Sequence, residues 1–188
     1  MNEIKEYFEK FLTISDEDWS LFSSKLVRRE FSKKSILLKV GQRENYLSFI
    51  EKGIIRFYIP TEDDNSTFGF AFAGTFVSAY DFFLTQTPSN YQLETLSETV
   101  LWSLTYEDLQ KIYAETKIGD RIGRLAGEGL FLKKSKRELS LLTDSAELRY
   151  LNLFTEQPHL LKLIPLKYIA SYIGITPQAL SRIRKYIS

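Results

Sequence analysis

Residues 164–185 read IPLKYIASYIGITPQALSRIRK. With Leu166 at position 1 of a twenty-residue window, Ile169, Ala170 and Ile173 line the inner face of a first helix. Gly174 takes the turn, and Ile175, Leu180 and Ile183 close a small core from the turn and a second helix. A helix-turn-helix needs this arrangement: a small residue where the helices touch, a turn glycine free to take positive φ, and apolar residues at fixed later positions. Thr176 is a ready N-cap, and Pro177 falls at the first helical position, which tolerates it. The outer side of the second helix then carries Gln178, Ser181, Arg182 and Lys185, with Arg184 on a flank. Gln pairs bidentately with adenine and Arg with guanine, while the helix N-terminus, Thr176 and Lys185 suit phosphates.

The charge distribution points the same way. The 188-residue chain has a net charge of only +1. Residues 1–156 hold all 24 acids against 20 bases, whereas residues 157–188 hold five bases (Lys162, Lys167, Arg182, Arg184, Lys185) and no acid. Such asymmetry suggests that one end meets an anionic partner, double-stranded DNA on this reading. A solvated helix face is the plainer account of the same charges, and the alternative function is a sensor or protein-interaction module whose terminal helices contact protein.

Several classes drop out. Without cysteine there are no disulfides, iron–sulfur ligands, Cys-based zinc sites or thiol nucleophiles. A His-rich metal site cannot be assembled from one histidine, His159. No G-x-S-x-G or G-x-x-x-x-G-K-[ST] motif occurs, and the glycines of GDRIGRLAGEG sit in a helical heptad rather than after a strand. The carboxylate pair Asp63–Asp64 sits in turn-like sequence, where solvated acids belong. The chain reads as a non-enzyme without cofactor or metal. The N-terminus, MNEIKEYFEKFLTIS, mixes charged and apolar residues unlike a signal peptide, and no apolar run approaches a membrane span, so a cytoplasmic protein without a membrane partner is expected.

Upstream, Ile4, Tyr7, Phe8, Phe11 and Leu12 recur at helical spacing, and Ser15 precedes a second helix carrying Trp19, Phe22 and Leu26 inward. From about residue 30 the texture changes. SILLKVGQ, YLSFIEKG, IIRFYIP, STFGFAFAGTF, YQLETLS and TVLWSLT are short runs rich in β-branched and aromatic residues, as in a small antiparallel sandwich or barrel. Helix returns at Thr105. Ile118, Ile122, Leu125, Gly129 and Leu132 then follow 4-3-4-3 spacing, a heptad seam suited to dimerisation, and the small residues Gly123, Ala126 and Gly127 permit close approach. An ordinary core helix would show the same periodicity. Thr143 or Asp144 is placed to cap a further helix reaching about Thr155, and EQPHL reads as a break before Pro165 opens the terminal pair.

The terminal stretch, behind a β unit and a long helix, resembles the cyclic-AMP receptor protein/FNR (Crp/Fnr) family of bacterial transcription regulators, and the resemblance covers nearly the whole chain. GQRENYLSFIEKGIIRFYI looks like the family's opening β-roll hairpins, with Gly41 and Gly53 at turn glycines. GTFVSAYDFFLTQTPSN looks like its phosphate-binding cassette, preceded by Gly74. The resemblance implies an α+β fold: residues 1–110 as a cyclic-nucleotide-binding-like β-roll (double-stranded β-helix or jelly roll) with N-terminal helices, 111–142 as the dimerisation helix, and 143–188 as an all-α helix-turn-helix domain lacking a wing, as in short Bacteroidetes members. It implies a homodimer reading a palindromic DNA site, a small-molecule effector at the roll, and contact with RNA polymerase. The departures matter. Cyclic-nucleotide-binding members place a Glu and an Arg where this chain has Ala79 and Ser89, followed by Asn90. Without that Arg the phosphate loses a charge-assisted pair, so cyclic AMP is not the expected effector. Tyr80, Ala79, Ser89 and Asn90 would line an altered pocket.

Overall fold

The computed structural model describes residues 1–62 and 65–187, so the pair Asp63–Asp64 lies outside the described residues. The chain divides into two compact units, Met1–Tyr58 with Phe70–Ala126, and Ile59–Gly69 with Gly127–Ser188. These divisions differ from the 110 and 142 boundaries read from sequence.

In the first unit, α1 (Asn2–Glu9) precedes α2 (Asp16–Ser24), whose start is capped by Ser15 Oγ accepting the Asp18 N–H at 3.1 Å. Among the described residues eight strands follow: β1 (Val27–Phe31), β2 (Ile36–Leu38), β3 (Tyr46–Lys52), β4 (Ile54–Ile59), β5 (Ser66–Phe72), β6 (Phe76–Val77), β7 (Gln92–Thr95) and β8 (Thr99–Thr105). They form two four-stranded sheets, ordered β1-β8-β3-β6 and β2-β7-β4-β5. The long pairing is antiparallel β3 on β8, from Tyr46 opposite Thr105 to Lys52 opposite Val100. The run STFGFAFAGTF is two strands, because Gly74 turns the chain at φ +83°. The outer ends of β4 and β5 belong to the second unit.

Between β6 and β7 lies α3 (Tyr80–Thr85), and β8 leads into α4 (Tyr106–Glu115), capped by Thr105 Oγ1 accepting the Asp108 N–H at 3.1 Å. The principal core draws Ile4, Phe8 and Leu12 from the N-terminus, Phe22 from α2, Phe49 from β3, Phe83 from α3 and Leu109 and Ile112 from α4. Each such side chain contributes about 1.5–3 kcal/mol on leaving water. Edge-on aromatic contacts join Tyr7 and Phe49 to Phe76.

The helix expected over 111–142 is two helices. α4 ends at Glu115, Thr116 is extended at φ −111° and ψ 149°, and α5 runs Gly119–Thr143. The restart demands glycine on steric grounds, since a Cβ at 119 would lie 2.5 Å from the Tyr113 Cα.

In the second unit, α5 continues to Thr143 and α6 (Ala146–Glu156) is capped by Ser145, whose Oγ accepts the Leu148 N–H at 3.1 Å. Neither Thr143 nor Asp144 serves as that cap, because α5 runs through one and the other accepts the Ser140 hydroxyl. The break at EQPHL is a single non-helical residue, Gln157, after which Pro158 opens α7 (Pro158–Leu163). The chain then forms α8 (Leu166–Tyr172) and α9 (Pro177–Ile187).

Candidate nucleic-acid interface and roll interior

α8 and α9 are the two helices expected from residues 164–185. Ile169 and Ala170 are fully buried, Ile173 and Leu180 nearly so, and Ile175 and Ile183 partly. Gly174 adopts φ +77°, a left-handed conformation that glycine takes without steric penalty. Pro177 opens α9, and Thr176 Oγ1 accepts the Ala179 N–H at 3.2 Å, as an N-cap does.

Thr176, Gln178, Ser181, Arg182, Arg184 and Lys185 are all exposed. At about 100° per residue, Gln178, Ser181, Arg182 and Lys185 occupy an arc of roughly 100° opposite Leu180 and Ile183. Arg184 falls outside that arc, beside the apolar face. The face therefore carries one amide, one hydroxyl, one guanidinium and one ammonium, the donors and acceptors that read base edges and phosphates.

The seam residues divide between two environments. Ile118 and Ile122 are 8% exposed within the core of their own unit, and Leu125 packs against that core. Burial removes the first two from any surface seam. Gly129 and Leu132 are exposed. Phe131, Leu132, Leu139 and Leu142 form an apolar stripe on α5, between 58% and 76% exposed.

The residues expected to line an effector pocket sit in different environments. Ala79 is fully buried at the start of α3, and its N–H donates to Glu44 Oε2 at 3.2 Å. Tyr80 stacks on Phe83 with ring centroids 6.2 Å apart. Ser89 is buried and self-satisfied, its hydroxyl donating to the Tyr91 carbonyl at 2.8 Å and accepting the Tyr91 N–H at 3.2 Å. Asn90 faces solvent. Behind the cassette, Tyr91 is buried with its hydroxyl on Asp81, and burial together with that carboxylate raises its pKa.

Sequence reasoning missed a small pocket beside Ala79, about 20 Å³ in volume and lined by Arg29, Glu44, Tyr46, Ser48 and Ser78 among others. That is room for about one water. The Ser78 hydroxyl is buried there without a hydrogen-bond partner among the described residues. Glu44 also accepts the Tyr46 N–H at 3.1 Å. Desolvation raises its pKa above the ordinary carboxylate value, against the lowering effect of those backbone donors and of Arg29. An acid in the middle of GQRENYLS gives no sign in sequence that its side chain turns inward.

Among the described residues no group of three His, Cys, Asp or Glu could hold a metal ion, and no helix is long and apolar enough to cross a membrane.

Residues 28–116 match the family model of the Cyclic nucleotide-binding domain. Solved structures place the chain as a whole. A protein from Eubacterium rectale described as a transcriptional regulator of the crp/fnr family superposes with a TM-score of 0.74 at 16% identity, covering 97% of this chain and 87% of that one. FixK2 from Bradyrhizobium japonicum gives 0.73 at 15%, covering 86% and 84%. The c-di-GMP-responsive global regulator CLP of Xanthomonas campestris gives 0.67 at 18%, covering 92% and 91%. The fold is that of the Crp/Fnr regulators: antiparallel roll, long helix, terminal helix pair. No curated relative matches in sequence.

Proposed function

We propose that the chain is a homodimeric, sequence-specific DNA-binding transcription regulator of the Crp/Fnr type. The observation that carries this reading is the exposed arc of Gln178, Ser181, Arg182 and Lys185 on a helix capped by Thr176 and seated on a helix-turn-helix core. The arc enters the major groove, with Arg182 and Gln178 on base edges and Lys185 and Thr176 on phosphates. Dimerisation uses the outer part of α5, where Phe131, Leu132, Leu139 and Leu142 present an apolar stripe, rather than Ile118 and Ile122. Recruitment of RNA polymerase and action in the cytoplasm complete the reading.

The roll is not a cyclic-AMP receptor on this reading. Ala79 and Ser89 replace the usual Glu and Arg, and the nearest buried charge to the Ala79 N–H is a carboxylate, Glu44, which repels a phosphate. Any effector would be a different small molecule, and double-stranded DNA is the primary partner.

The test is a binding series on DNA selected from genomic fragments, run over a range of salt. Counterion release makes affinity fall linearly with log salt concentration. Arg182→Ala should cost about 1–3 kcal/mol and relax specificity at one base, while Lys185→Ala should weaken all sequences alike and lower the salt slope by about one. Sequence-independent loss of equal size from both would overturn base reading by Arg182. Binding that ignores salt and is not competed by DNA would favour a protein partner instead.

A further inference from the structure

The carbonyls at the C-terminal end of α8 are fully accounted for, and the last two are held from outside the helix pair. Within the backbone, the Ile169 carbonyl accepts the Ile173 N–H, that of Ala170 the Ile175 N–H, and that of Ser171 the Gly174 N–H, each at 3.0 Å. The next two carbonyls have no turn left to serve them, as at any helix end. The Tyr172 carbonyl accepts from Arg137 Nη2 on α5 at 2.8 Å, and the Ile173 carbonyl accepts from Arg149 Nε on α6, also at 2.8 Å.

Each guanidinium is fixed at a second point. Arg137 Nε donates to the Phe68 carbonyl in β5 at 3.1 Å, and its Cζ stands 4.5 Å from the Tyr172 ring centre. Arg149 Nη1 donates to the Asp144 carbonyl at the joint between α5 and α6 at 2.6 Å. Ser171, one residue earlier, accepts the Thr67 N–H from the same strand at 2.7 Å and donates to the Asn65 carbonyl at 3.4 Å. Only Gly174 to Thr176 lie between Ile173 and the first residue of α9.

We propose that Arg137 and Arg149 are positioning residues for DNA reading: two-point clamps that fix the direction of α9 relative to α5. The proposal rests on α9 being the DNA-reading helix and α5 the dimer helix. A two-fold pair of readers must reach successive major grooves about 34 Å apart, so a fixed angle between α5 and α9 sets which half-site spacing the dimer accepts. The chemistry requires arginine. A planar fork holds two carbonyls at once, whereas a lysine ammonium is a single point on a flexible stem.

The experiment measures affinity of the full-length protein for its selected operator and for operators with one base pair inserted or removed between half-sites. Arg137→Gln, Arg149→Gln and the two Lys variants are compared with wild type, with amide hydrogen exchange of Gly174 and Ile175 recorded on each. The Gln variants are expected to lose about tenfold or more on the native spacing and to lose most of the discrimination between spacings, with partial return in the Lys variants. Exchange at Gly174 and Ile175 should rise while Leu180, inside α9, stays protected. Affinity falling by the same factor at every spacing overturns the proposal, as does unchanged discrimination with faster exchange. If wild type has no affinity for DNA, the DNA-reading function fails and the clamp role fails with it. If wild type binds and the spacing preference survives in all variants, only the clamp is wrong.

Discussion

Rebuilding the missing nucleotide ligand at position 79 should damage the roll rather than restore a function. Ala79→Glu adds four heavy atoms at a residue with no exposure, and overpacking of this kind costs about 1–3 kcal/mol. The new carboxylate also arrives beside Glu44, whose Oε2 lies 3.2 Å from the residue 79 nitrogen. Two unit charges roughly 5 Å apart at an effective dielectric near 20 repel by about 3 kcal/mol. Together these give about 4–6 kcal/mol, a large part of the roughly 5–15 kcal/mol that holds a domain together. The two parts separate by a second substitution. Glu44→Gln removes the charge but keeps only one acceptor for the Ala79 and Tyr46 N–H groups, so it should recover about 2 kcal/mol in the Ala79→Glu background.

The pH dependence has a defined sign. Glu44 already has a pKa raised above 4.5 by burial, so its protonation favours the folded state. That contribution is fully present below the unfolded value and is lost as pH rises through the folded one. A second carboxylate pushes the same way, so the Ala79→Glu penalty should be smaller at pH 5 than at pH 7. Urea unfolding followed by tryptophan fluorescence measures all of this, because both tryptophans, Trp19 and Trp102, lie in the first unit. A loss below about 1 kcal/mol at pH 7, or no recovery with Glu44→Gln, would refute the placement of the two groups. Calorimetry on Ala79→Glu/Ser89→Arg should show no gain of cyclic-AMP affinity.

The pair Arg56–Glu94, joined at 2.8 Å with side chains 3% and 14% exposed, faces across β4 and β7. Arg56→Met alone should cost about 3–5 kcal/mol, and Arg56→Met/Glu94→Leu should recover most of it, measured by the same urea series. Gly53→Ala meets Thr99 Cα at 2.8 Å with φ at +115° and should cost more than about 3 kcal/mol, whereas Gly174→Ala, with its nearest atom at 3.5 Å, carries only the left-handed strain of about 1–2 kcal/mol. Circular dichroism melts of the two variants rank them. On the proposed dimer reading, Leu132→Glu with Leu139→Lys should convert dimer to monomer in equilibrium sedimentation, while the roll keeps its fold.

The elements with strong periodicity were legible in the chain. Thr105 caps α4, Ser15 caps α2, and Gly174 turns the helix pair as read. Strand β1 was not read, because VRREF offers two arginines and a glutamate, and β-propensity says little where the residues on one face point to water. Its place comes instead from partners far along the chain on β8, from Val27 opposite Ser103 to Phe31 opposite Thr99. The same limit explains Ile118 and Ile122. A heptad period says that a stripe is apolar, not whether the surface it meets belongs to its own protomer. Short-range signals cannot show α4 stopping at Glu115 and returning the chain so that those two isoleucines join Leu109 and Ile112. Glu44 and Ser78 are the same case in polar form, since only tertiary packing turns them inward.

The cations of α9 have two physical explanations, and helical geometry divides them. Arg184 and Lys185 lie in the last turn, where any cation gains about 0.3–1 kcal/mol from the helix dipole with no partner at all. Arg184 lies off the arc that carries Gln178, Ser181, Arg182 and Lys185. Arg182 and Gln178 receive no such benefit. Gln178 is neutral and in the first turn, where an acid would be the stabilising choice, and Arg182 sits mid-helix with no acid on its own helix, since no acid follows Glu156 in the sequence. A helix selected for stability alone would place acids at its start and pair its middle cations. This one does neither on the face that carries Gln178, Ser181, Arg182 and Lys185. On the proposed reading, a polyanion supplies counter-charges to that face, as a DNA duplex does.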